Sequence, residues 1–67
     1  MTRAEAIRCI EAALDQQLHR FELALADKVR DGVLDVDAAA DAYVAAVAQQ
    51  QWARRVAIAE LDDFAAG

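Results

Sequence analysis

Asp15, His19 and Glu22 recur at i, i+4 and i+7, so on a helix they share one face, with Glu11 one turn earlier on the same side. Carboxylates and an imidazole in that pattern are the residue types that bind a transition metal. A stable site needs three or four ligands held by surrounding hydrogen bonds. Diiron bundles use a Glu-x-x-His pairing. Here Asp15 and His19 stand four apart, and the second half of the chain has no matching set. The simpler reading of the trio is a solvated face in which His19 pairs with its acidic neighbours. A metal-binding helical bundle on Asp15, His19 and Glu22 is the alternative.

Other chemistry is scarce. The chain has no Ser and no Asn, and its single Thr, Thr2, is better placed as a helix cap. Hydroxyl nucleophiles are therefore nearly excluded. Cys9 and His19 lie about 15 Å apart along one helix axis, too far to form a dyad within one chain. No glycine-rich loop could cradle phosphates. These absences predict a protein that is not an enzyme and needs no cofactor.

The elements that carry these residues are set by one break. Asp31-Gly32 holds the only glycine before Gly67, and there is no proline. On either side runs an alanine-rich segment with helical spacing. Sixty-seven residues make a single domain, with helices expected over about 3–30 and 37–64 and a turn over about 31–36. Thr2-Arg3-Ala4-Glu5 fits a capping box. Ile7, Ile10, Leu14, Leu18, Phe21 and Leu25 fall within about 80° on a helical wheel. Gly32 suits the left-handed C-cap position, with Val33 or Leu34 folding back on the last turn. Asp35 or Asp37 can cap the second helix.

The second helix is less regular. Its expected core stripe is Val36, Ala40, Tyr43 and Val47, then Ile58, Leu61 and Ala65. Between the two groups the same face carries Gln50, Gln51 and Arg54. The long side chains of Gln50 and Arg54 can lie at the margin of the hairpin, with their polar ends in water. Trp52 and Val56 are expected to point away from the first helix, towards another chain. Trp and Arg are enriched in binding hot spots, so Trp52, Arg55 and Val56 form the candidate contact. Glu60, Asp62 and Asp63 oppose the helix dipole at the C-terminal end. Either that end frays or a basic group meets it, and Phe64 beside it is a further candidate for docking.

Charge is split unevenly. Residues 1–30 hold five acids and five bases; residues 31–67 hold seven acids and two bases, which accounts for the net charge of −5. Phosphate-backbone binding relies on clustered Lys and Arg, so nucleic-acid partners are disfavoured. No apolar run approaches the roughly 20 residues that cross a bilayer. The expectation is a soluble cytoplasmic protein without a signal peptide or membrane span.

Two local resemblances point in different directions. Leu34-Asp35-x-Asp37-x-x-Ala40-Asp41 resembles the turn segment of the repressor-of-primer family, hairpins that dimerise into four-helix bundles and bind paired RNA loops. That resemblance implies a dimeric RNA-binding regulator. The first helix does not keep register with the family, and its basic, amide and aromatic RNA face has no matching set here. Phe21-Glu22-Leu23-Ala24-Leu25 and Gln49-Gln50-Gln51 are similar to segments of the small co-chaperones of type III secretion needle subunits. Neither resemblance assigns the chain to a family.

The sequence thus predicts an all-α, two-helix antiparallel hairpin, completed by dimerisation into a four-helix bundle or by docking on another helical protein. Its expected role is protein–protein interaction through a Trp52/Val56 face, as an adaptor, small chaperone or accessory subunit. The only cysteine, Cys9, cannot form an internal disulfide. A chain this short has a thin core and needs such a supplement.

Overall fold

The computed structural model describes residues 1–66 as two antiparallel helices, α1 (Arg3–Arg30) and α2 (Val36–Ala66). They form a rod with extents of 50 × 17 × 13 Å. The α1 N-terminus has the expected capping box. The Glu5 amide donates to Thr2 Oγ1 at 3.1 Å, and the Thr2 amide donates to Glu5 Oε2 at 3.4 Å.

The reversal is a Schellman motif. The Val33 amide donates to the Lys28 carbonyl at 2.9 Å and the Gly32 amide to that of Val29 at 3.1 Å. Gly32 has φ +77°, a conformation that costs an L side chain but not glycine. Leu34 is half-buried, whereas Val33 stays exposed, so Leu34 is the residue that folds back. Asp35 caps α2 by accepting from the Ala38 amide at 2.7 Å.

The α1 stripe packs as its spacing predicts except at Phe21, which is 39% exposed. Ile7, Ile10, Leu14, Leu18 and Val29 are half-buried, and Leu25 is buried at 7% exposure. The face of α2 differs from expectation. Val36, Ala40 and Ala65 are exposed. Half-buried instead are Ala39, Ala42, Ala46, Ala53 and Ala57, together with Tyr43, Val47, Gln50, Ile58 and Leu61. The helix is rotated so that a column of alanines meets the large side chains of α1. Interhelical separation depends on the side chains at the contact, and small residues let the axes approach. Among the described residues only Leu25 is buried, because each helix has a single neighbour and nothing lies over the flanks of the seam.

Ion pairs tie the two helices at one end and in the middle. Arg3 makes a bidentate contact with Asp62, Nε to Oδ1 at 2.7 Å and Nη2 to Oδ2 at 3.1 Å. Arg54 Nε reaches Glu11 Oε2 at 3.3 Å. The basic group that meets the acidic C-terminal end is thus in the same chain. Its hydrogen bond is the main reason the Asp62 carboxyl is held below the ordinary carboxylate range.

Candidate functional site

The two flanks of the seam are unlike. On one flank lies an open groove of about 480 Å³. Leu14, Leu18 and Phe21 line it from α1, and Ala46, Gln50 and Trp52 from α2. Gln17, Gln49 and Ala53 complete the lining, so it contains no ionisable side chain. On the other flank a smaller groove of about 180 Å³ is lined in part by Glu11, Asp15, Gln51 and Arg54. The helical period explains the contrast. Residues 17, 21 and 24 of α1 and 49, 53 and 56 of α2 repeat at i, i+4 and i+7, and none is charged.

Two aromatic side chains dominate the uncharged flank. Trp52 is 65% exposed and Phe21 39%. Gln50 lies between the flanks, and its Oε1 is shut off from solvent without a hydrogen-bond donor. An unsatisfied buried acceptor is unfavourable. It sits here because the alanine seam closes around position 50, where a longer polar side chain replaces the small residue. Gln50 is therefore inside the interface and not at its margin. Arg54 does lie at the margin, held by Glu11.

The expected contact residues are dispersed. Trp52 is 65% exposed, and its side chain also borders a groove that α1 helps to form. Val56 is half-buried on the same flank. Arg55 is exposed and has no carboxylate partner among the described residues. Phe64, 85% exposed, is about 18 Å along the axis from Trp52. It borders a separate end groove with Met1, Ala6 and Leu61. Sequence reasoning placed Phe21 wholly in the core and gave Gln17 and Gln49 no part in the contact. The i, i+4 relation of Gln17 to Phe21 and of Gln49 to Ala53 was the available signal.

The acid–histidine cluster stays on the surface. His19 Nδ1 lies 3.7 Å from Glu22 Oε2, with both side chains exposed. Among the described residues no three His, Cys, Asp or Glu side chains converge on a point where a metal could bind. Cys9 is a free, exposed thiol. No described helix is long and apolar enough to cross a membrane. Comparison with protein-family models, characterised proteins and solved structures finds no match.

Proposed function

We propose that the chain is a non-enzymatic helical interaction module, docking through the uncharged flank that carries Phe21 and Trp52. One observation carries this reading: the hairpin exposes more surface than a finished fold of its size. A folded monomer of 7.3 kDa exposes about 4,200 Å² by the usual scaling, whereas this chain exposes 5196 Å². The excess of about 1,000 Å² is close to the roughly 800 Å² that each partner buries in a standard interface. Aromatic anchors beside apolar and amide groups are what the centre of such an interface uses. The groove offers no Lys or Arg for phosphates, which favours a protein partner over RNA. The role fits an adaptor, a small chaperone or an accessory subunit in the cytoplasm.

The test is photo-crosslinking in the cells that make the protein. A photoreactive phenylalanine analogue replaces Trp52 in one variant and His19, on the charged flank, in the other. Protein adducts formed from position 52 and absent from position 19 are expected. No adducts, or the same adducts from both positions, would overturn the reading.

A further inference from the structure

We propose that the covering partner is a second copy of this chain, packed antiparallel about a two-fold axis at the level of Gln17 and Gln50. The proposal rests on the reading of the Phe21/Trp52 flank as a docking surface and adds its occupant and orientation. Four observations on the molecule lead to it.

The first is area. A flank of 50 by 17 Å offers about 850 Å², matching the roughly 800 Å² per partner of a stable dimer only if nearly its whole length is covered. A partner rod of the same length does that. The second is position. The midpoint of α1 falls at residues 16 and 17 and that of α2 at residue 51, so the groove lies at the centre of both helices. A two-fold axis there overlaps both hairpins end to end. Closed two-fold dimers are the commonest assembly and require a surface that complements itself.

The third is hydrogen bonding. Gln17 from α1 and Gln49 from α2 are exposed and line the groove. A primary amide is both donor and acceptor. Glutamines related by a two-fold axis can therefore satisfy one another, which a purely apolar partner could not do. The absence of charge in the groove also lets two chains of net charge −5 meet there.

The fourth is charge at the ends, and it sets the orientation. Lys28 continues the 17, 21, 24 column, and Glu60 continues the 49, 53, 56 column. Neither takes part in an ion pair among the described residues, nor does Asp63. Lys28 is about 16 Å from the level of Gln17 towards the turn; Glu60 is about 15 Å from the level of Gln50 towards the other end. Antiparallel packing brings Lys28 of each copy to the level of Glu60 of the other. Parallel packing would set the two Glu60/Asp63 ends side by side, where like charges repel.

Sedimentation equilibrium over a concentration series tests this on the full chain, with circular dichroism confirming that each variant is helical. The wild type should reach twice 7.3 kDa. Lys28→Glu should weaken the dimer about tenfold or more, because two attractive pairs become repulsive. Adding Glu60→Lys should restore it. Adding Asp15→Lys, which gives the same net charge from the other flank, should not. Lys28 and Glu60 are about 30 Å apart within one hairpin, so rescue requires contact between chains. A helical monomer at every concentration overturns the proposal. So does a dimer indifferent to Lys28→Glu, or one rescued equally by both lysines. If the chain is monomeric yet position 52 still crosslinks selectively to another protein, the docking surface stands and only its occupant is wrong.

Discussion

Leu25→Ala should remove a large part of the hairpin's stability, and the size of the effect can be worked from its surroundings. The substitution deletes three carbons, about 2.4 kcal/mol at roughly 0.8 kcal/mol for each buried CH₂. A rigid core would add a cavity term and bring the loss towards about 5 kcal/mol. Here the site borders an open groove lined by Glu22, Val36, Ala40 and Tyr43. Neighbours and water can move in, so the loss should stay near the low end, about 2–3 kcal/mol. A chain of 67 residues has roughly 3–10 kcal/mol in all. Leu23 is 53% exposed on the same helix, and Leu23→Ala should cost under about 1 kcal/mol. The assay is urea unfolding followed by circular dichroism at one fixed chain concentration, since any assembly makes stability concentration-dependent. At about 1 kcal/mol per molar urea for so small a fold, Leu25→Ala should lower the midpoint by about 2 M or more. Equal shifts for Leu25→Ala and Leu23→Ala would refute the claim that stability is concentrated at the one buried side chain.

Two further substitutions probe the turn and the ion pair. Gly32→Ala meets no atom within 4 Å of the added methyl, so its cost is conformational alone: about 1 kcal/mol, or a melting temperature lower by about 4–8 °C. An unchanged melting temperature would show that the left-handed C-cap is not required. The Asp62 carboxyl titrates lower in the folded chain than in the unfolded one, chiefly through its hydrogen bond from Arg3. Its contribution is therefore complete above the unfolded value and is lost as pH falls through the folded one. Asp62→Asn should flatten the fall in melting temperature below about pH 4. Identical acid profiles for the two proteins would count against the pair.

The two elements and their connection were legible because local chemistry governs them. Thr2, Glu5, Asp31, Gly32 and Asp35 act within four residues of their own positions, and their caps and turn are formed as the residue types require. The α1 stripe was equally clear, because bulky aliphatic residues stand on one side and charged ones on the other. The site was less legible. Trp52 stood out by its residue type, but the groove beside it did not, because Phe21 looked like an ordinary member of the stripe.

The physical reason is the alanine content of α2. A helix that carries alanine on most of its circumference has several nearly equivalent apolar faces, so its own sequence does not choose among them. The large side chains of α1 make the choice: they pack against the column of Ala39, Ala46, Ala53 and Ala57. That rotation exposes Val36, draws Gln50 into the seam and leaves Phe21 and Trp52 bordering one groove. Short-range forces decided that there would be two helices and where the chain would reverse. Packing between them decided which surface was left for a partner.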